Sequence, residues 1–565
     1  MMIFMDKMIV YQVLPRLFGN LNLSPKKNGS KDENGVGRFS AFSPSALAAI
    51  KALGVTHIWY TGVIEHATQT DYTAYGIQKD HADVVKGKAG SPYAIKDYYD
   101  VDPDLADNVE HRMEEFEALV KRTHEAGMKV IMDFVPNHVA REYHSDMRPP
   151  YVEDLGQRDD TTQGFLRDNN FYYIPNTPLQ LSFVEEYGDD SYSEFPAKVT
   201  GNDCFSASPG KNDWYETVKL NYGVDYTDRR SRHFEPTPNT WTKMLHILMY
   251  WAGKGVDGFR CDMAEMVPVE FWGWAIPKVK EHHEVCFIAE VYNPAEYHSY
   301  IFNGHFDYLY DKVGLYDTLR AVMCGNAPAS SITHCWQALD GIRPNMLNFL
   351  ENHDEQRIAS RFFAGDARKG IPGMIVSAMM YTNPVMLYCG QELGEEGMDE
   401  EGFSGCDGRT TIFDYWSINS LCRWIGNGKF DGEGLNAAQR ALREMYSKIL
   451  NVAKTEPAII KGDFFDLMYA NGDNPCFDTN RQYAFLRKLG NDVVMVVANF
   501  DEGEHVVRLR VPEDAFRVLG FGDNKAAVVT DLLSGETCIS TLTTACPYQL
   551  TLPAYSGRVL RFTFN

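Results

Sequence analysis

The chain has 565 residues, 44% hydrophobic and 23% charged, a length that points to two to four structural units and a composition that excludes disordered, fibrous and collagen-like chains. Its 54 Lys and Arg stand against 77 Asp and Glu, and the resulting net charge of −23 repels phosphate backbones and anionic lipid alike. General binding to nucleic acid or membrane surfaces is therefore excluded, whereas an uncharged partner is not penalised. Aromatic residues reach 13%, which either fills a core or supplies planar faces for contacts such as sugar stacking.

In chain order, the stretch from Met1 to Lys7 is too short and too soon interrupted by charge for a signal-peptide apolar region, and Met8–Leu14 reads as a strand. Strands are expected again at Thr56–Tyr60, Lys129–Phe134, Gly258–Asp262, Cys286–Glu290, Phe306–Leu309, Asn345–Leu350 and Pro384–Tyr388. Helices alternate with them. Between 109 and 126, Met113, Phe116, Leu119, Val120 and Thr123 recur at spacings of three and four, and Gly127 supplies the stop. Trp241–Lys254, Pro268–Lys280 and 436–454 are further helices.

Eight strands in βα rhythm predict an α/β fold, a (β/α)8 TIM barrel. The stretch from 139 to 235, rich in Asp, Asn, Tyr, Pro and Ser, is too long for an ordinary βα loop and reads as an inserted unit with its own small fold. After 456, alternating segments such as Tyr483–Leu486, Val493–Val497 and Arg558–Thr563 predict a C-terminal antiparallel β-sandwich domain. The expected division is 1–138 with 236–455 for the barrel, 139–235 for the insertion and 456–565 for the β domain. No apolar run of about 18 residues predicts a membrane span. The 11 cysteines contain no CxxC pair and are expected as free thiols in a reducing cytoplasm.

Four segments put polar groups at the C-terminal ends of barrel strands, where barrel enzymes carry their chemistry. They are Asp133-Phe134-Val135-Pro136-Asn137-His138, Gly258-Phe259-Arg260-Cys261-Asp262, Phe287-Ile288-Ala289-Glu290 and Asn348-Phe349-Leu350-Glu351-Asn352-His353-Asp354. Arg260 and Asp262, two apart on a strand, point to one side, so the guanidinium is expected to hold Asp262 ionised as a nucleophile unless the two merely fill the barrel interior. Glu290 follows apolar residues, a setting that raises a carboxylic acid towards proton-donor range. One charged and one protonated carboxylate is the pairing of retaining glycosidases. Asp354 would steady developing positive charge or bind hydroxyls, and His138 and His353 offer hydrogen bonds to sugar oxygens.

In order and position these motifs resemble the four conserved regions of the α-amylase family of glycoside hydrolases, family 13, and the resemblance covers most of residues 8–565. It implies that Asp262 is the nucleophile, Glu290 the general acid/base and Asp354 the transition-state stabiliser. It implies that Arg260, His138 and His353 line the cleaved sugar's subsite. Tyr93 resembles the tyrosine stacked under that sugar, with a core tyrosine as the alternative. Arg357 resembles a frequent substrate-side arginine, with a structural ion pair as the alternative. Asp97 and Asp133 are expected to brace the site. No organic or redox cofactor is implied. The family often carries a structural calcium, and Asn137 stands at a usual ligand position without identifiable partners.

Two departures stand out. Glu265-Met266 replaces the Lys-His pair that many relatives use at the leaving-group sugar, and Lys219–Asp225 matches neither common version of the linkage-determining segment. The expected activity is hydrolysis of α-glucosidic bonds, mainly α-1,4, in maltooligosaccharides or starch-like glucans. Alternatives are a transglycosylase or trehalose-forming isomerase on the same site, and a non-catalytic glucan-binding module.

Overall fold

The computed structural model describes residues 7–184 and 191–564; the first six residues, with most of the stretch weighed above as a leader, lie outside it. Eight parallel strands form the barrel: β1 Ile9–Val13, β2 His57–Tyr60, β3 Lys129–Phe134, β4 Gly258–Cys261, β5 Cys286–Ala289, β6 Tyr308–Tyr310, β7 Met346–Leu347 and β8 Val385–Tyr388. Their order is β7-β6-β5-β4-β3-β2-β1-β8, and a parallel bridge between Asn348 and Val385 closes the ring. The expected strands are all present. The sixth starts two residues later and ends one later than expected, and the seventh is cut to two residues because Phe349 onward turns away from the ladder.

Alternation explains how the mouth is built. Val10, Trp59, Ile131, Ile288, Tyr310, Leu347 and Met386 fill the barrel interior as one apolar cluster, while their chain neighbours Ile9, Tyr11, Ile58, Tyr60, Val130 and Met132 pack outward against the helices. Two residues past an inward apolar residue, the next inward side chain is polar: Gln12 after Val10, Asp133 after Ile131, Glu290 after Ile288. Arg260 and Asp262 follow Gly258 in the same way.

The helices behave as their patterns require. Arg112–Glu125 (α1) buries Phe116, Leu119, Val120 and Thr123 and is followed by Gly127 at φ 73°, a left-handed position that favours glycine. Asn239–Gly253 (α2), Val269–Lys280 (α3) and Ala437–Thr455 (α4) cover other faces, the last opened by a reciprocal Asn436–Gln439 cap.

The excursion after β3 returns against its own start: His138–Ala140 pairs antiparallel with Thr217–Lys219, so this returning strand runs beside the barrel mouth. At the C-terminus, a six-stranded antiparallel sheet and a separate two-stranded pair form the β domain. It is tied to the barrel by Arg487, 1% exposed, which donates to the carbonyl of Met380 in the barrel and to that of Gly462 in its own domain, at 2.6 Å each. All 11 cysteines are free.

Candidate active site

A cavity of about 410 Å³ opens at the C-terminal end of the barrel, within the size range of ligand pockets. Tyr93, His138, Asp262, Glu290 and Asp354 line it, joined by Lys86, Ser91, Trp214, Glu216, Tyr292 and Phe413. Arg260 and His353 are buried just beneath.

Arg260 organises the floor. Its Nη1 donates to Asp262 Oδ1 at 2.8 Å, and its Nη2 lies 2.8 Å from Glu290 Oε2. Nη1 also reaches Asp133 Oδ1 at 3.4 Å, and Nε donates to the Tyr310 hydroxyl at 3.2 Å. One guanidinium thus stands between the two candidate reacting carboxylates, hydrogen-bonded to Asp262 and ion-paired with Glu290. Asp133 faces Arg260 across the β3–β4 register and accepts from Trp59 Nε1 at 3.0 Å, a bracing role. Burial lifts Asp133 to about 6 against the pull of Arg260. Asp97 braces similarly, accepting from Ser145 Oγ at 2.5 Å and from the Met147 and Tyr99 N–H groups at 2.9 and 2.8 Å.

Two electrostatic expectations are corrected. Asp262 is not held low by Arg260. Burial pushes its carboxyl well above the usual aspartate range, and nearby Glu290, Asp133 and Asp354 add to the rise against Arg260. Glu290 is not in an apolar setting either. Its Oε2 accepts from the Met263 N–H at 2.8 Å besides facing Arg260, and its Oε1 accepts from the Tyr292 hydroxyl at 2.5 Å. The Met263 N–H reaches Glu290 because Met263 adopts a left-handed φ of 41° directly after Asp262, a conformation that costs of order 1 kcal/mol for a side chain of this kind.

The histidines are neutral hydrogen-bonding groups. Burial pulls both His138 and His353 down to about 3. Gln12 Nε2, which can only donate, lies 2.7 Å from His353 Nδ1 and so leaves the ring proton on Nε2, 2.6 Å from the Tyr93 hydroxyl and 3.1 Å from Asp354 Oδ2. Tyr93, 9% exposed, stacks on the His353 ring with centroids 5.2 Å apart and presents a face to the cavity. The Asp354 side chain is 43% exposed at the floor.

Arg357 is not brought to the cavity. It is fully buried, its Nη1 donates to Glu351 Oε2 at 2.9 Å, and its guanidinium covers the Tyr388 ring at 3.9 Å. The turn after Asp354 carries it behind the mouth, so the structural ion pair is the arrangement observed. Glu265 is also turned away from a ligand: it accepts from the Tyr292 and Asn293 N–H groups, each at 3.0 Å, and so fixes the segment that presents Tyr292.

Sequence reasoning missed Tyr292, Trp214 and the Lys86–Glu216 pair. Tyr292 had a readable signal, an aromatic two residues past a strand-end acid. Trp214, with its ring 5.2 Å from that of His138, comes from the excursion, whose path no periodicity encodes.

The surroundings of Asn137 do not fit calcium, which takes six to eight oxygen ligands. Asn137 Oδ1 instead accepts from Lys219 Nζ at 2.8 Å, that ammonium lies 2.6 Å from Asp203 Oδ1, and Asn137 Nδ2 donates to the Gly201 carbonyl at 2.8 Å. A lysine supplies the positive charge between the barrel and the excursion. Chelation with EDTA is expected to leave thermal unfolding unchanged, whereas Lys219→Met should destabilise by about 3 kcal/mol in denaturant titration, because Asp203 Oδ1 and Asn137 Oδ1 lose the buried ammonium they share.

A family model described as alpha amylase, catalytic domain, matches residues 25–414. The alpha-amylase MalA of Haloarcula japonica is 23% identical over 94% of this chain, which covers 58% of that protein. The cyclomaltodextrinase of Geobacillus thermopakistaniensis is 22% identical over 96% of the chain and 75% of its own length. The chain spans 31% of Maltase 1 of Drosophila virilis and 56% of the intracellular maltogenic amylase of Bacillus subtilis. Among solved structures, the maltogenic alpha-amylase AmyB of Thermotoga neapolitana superposes with a TM-score of 0.62 at 19% identity over 99% of both chains. The Geobacillus thermoleovorans alpha-amylase does so with 0.62 at 18% identity over 98% of both.

Proposed function

The chain belongs to the alpha-amylase family, and on that footing we propose that it is a retaining glycoside hydrolase of α-glucosidic, mainly α-1,4, bonds in maltooligosaccharides or starch-like glucans. The observation that carries this reading is the single guanidinium of Arg260 shared at 2.8 Å by Asp262 and by Glu290. Glu290 Oε2 is taken up by the Met263 N–H and Arg260, so the transferable proton belongs on Oε1, beside the Tyr292 hydroxyl. That proton goes to the glycosidic oxygen while an Asp262 carboxylate oxygen bonds to the anomeric carbon. The carbon–oxygen bond breaks and the leaving sugar departs as an alcohol. Glu290, now a carboxylate, takes a proton from water, whose oxygen attacks the anomeric carbon and frees Asp262. Asp354 and the neutral His353 and His138 hold sugar hydroxyls, and Tyr93 stacks on the ring.

Proton linkage gives the sign of the pH dependence. A protonated Asp262 cannot attack, and its carboxyl is raised by burial, so activity is lost as pH falls through that raised value. The acid limb of kcat/KM on maltotriose should have its midpoint above about 4, the ordinary aspartate value. A midpoint at or below that value would contradict the account. His138 and His353, neutral down to about 3, should add no inflection between pH 5 and 8.

A second reading, glucosyl transfer to a sugar acceptor, is favoured by one observation. Tyr292 and Met263 border Glu290, and Glu265 serves the loop where relatives use Lys-His at the leaving-group sugar. Chromatography of products from maltoheptaose separates the two: glucose and maltose support hydrolysis, whereas longer oligosaccharides or trehalose support transfer. Among the described residues no helix is long and apolar enough to cross a membrane. The relative named as an intracellular maltogenic amylase supports a cytoplasmic location.

A further inference from the structure

The cavity has two unlike sides. Asp262, Glu290 and Tyr292 come from the ends of β4 and β5, while Lys86, Glu216 and Phe413 come from segments after β2, β3 and β8. In an eight-stranded ring β1 lies across from β5, so the segments after β1, β2 and β8 meet on the side away from Glu290.

These segments are stitched into a continuous wall. Arg16, 2% exposed, donates through Nη1 to the Gly90 and Ile412 carbonyls at 3.0 Å each and through Nη2 to the Ala89 carbonyl at 3.1 Å. The Ala89 N–H donates to the Phe413 carbonyl at 3.1 Å. Gly87, at φ 66°, lets the two segments touch, because a Cβ there would lie 2.2 Å from the Phe413 oxygen. The last joint, to the excursion, is an ion pair: Lys86 Nζ lies 3.0 Å from Glu216 Oε1, with the side chains 11% and 5% exposed. Glu216 Oε2 accepts no hydrogen bond from another of the described residues. A well-packed apolar pair would close a wall at lower desolvation cost than two buried charges. Charges with unused bonding capacity on a cavity wall match a ligand rich in hydroxyls.

We propose that this wall closes the cavity at the non-reducing end of the substrate, and that Lys86 and Glu216 bind hydroxyls of the terminal glucosyl unit, so that the enzyme works from chain ends. The inference rests on the hydrolase reading above. Its direction follows from the chemistry: the proton from Glu290 goes to the leaving-group oxygen, so the leaving sugar lies on the Glu290 side and the non-reducing sugars face the wall. The volume of about 410 Å³, low in the range for ligand pockets, suits a short end rather than a threaded chain.

The test compares maltoheptaose with maltoheptaose blocked at its non-reducing end by a 4,6-ethylidene acetal, and with α-cyclodextrin, which has no end. The wild-type enzyme should cleave the blocked and cyclic substrates about 10²-fold more slowly than free maltoheptaose, since a buried polar site rejects a ligand that leaves it unpaired. Lys86→Ala and Glu216→Gln should each raise KM for maltotriose about tenfold, with kcat within about threefold, as expected for loss of a hydrogen bond to a charged group. Equal rates on free, blocked and cyclic substrates would overturn the inference, and that comparison needs no variant. No cleavage of any of the three would instead defeat the hydrolase reading, and the inference with it.

Discussion

Asp262→Asn should abolish turnover of maltooligosaccharides, by a factor on the order of 10⁴ or more, while the protein stays folded. An amide cannot form the glycosyl ester, and the loss of a covalent route that splits one difficult step into two corresponds to about 5 kcal/mol at 1.36 kcal/mol per tenfold. The fold should survive because Asn fills the same volume and its carbonyl oxygen can still accept from Arg260 Nη1, where Asp262 Oδ1 now lies at 2.8 Å. Removing a carboxylate from a floor that holds Asp133, Asp262 and Glu290 around one guanidinium also relieves like-charge repulsion. Unfolding midpoints equal to or above wild type, together with initial rates on maltotriose at the background level, are the expected pair of results. A variant that retains more than a few per cent of activity would remove Asp262 from the chemistry.

Glu290→Gln should lower kcat/KM on maltotriose by about 10²- to 10⁴-fold, the usual worth of a positioned general acid. The loss should depend on the leaving group, which distinguishes a proton donor from a residue that merely shapes the cavity. With a 2,4-dinitrophenyl α-glucoside, whose leaving group needs no proton, the first step should recover most of its rate. A burst of dinitrophenol followed by slow turnover should appear, because the same residue activates water in the second step. An equal loss on both substrates would assign Glu290 a structural role, which its contacts to Met263 N–H, Arg260 and Tyr292 could also fill.

The barrel was legible because its strands are buried on both faces and read as short apolar runs, and because an inward polar residue two past an inward apolar one marks the mouth. Val10 and Gln12, Ile131 and Asp133, and Ile288 and Glu290 each follow that rule, and on the fourth strand Gly258 stands in the apolar place before Arg260 and Asp262. Charge states were not legible. Asp262 beside Arg260 reads in sequence as a carboxylate held low, yet the desolvation of a floor sealed by Trp59, Tyr93 and Tyr310 outweighs one cation shared among three acids. The direction of Arg357 was not legible either, since a turn after Asp354 decides whether it faces the ligand or Glu351. Nor was the wall opposite Glu290, because Arg16, Gly87, Lys86, Glu216 and Phe413 are far apart in the chain and meet only when the barrel closes.

A double displacement at Asp262, with Glu290 as acid and then base, retains the anomeric configuration, so the stereochemistry of the first-formed product tests it most directly. Anomeric proton NMR during the first minutes of maltotriose hydrolysis, before mutarotation, should show new reducing ends as the α-anomer. Initial formation of the β-anomer would mean a single inversion by water and would contradict the covalent role assigned to Asp262.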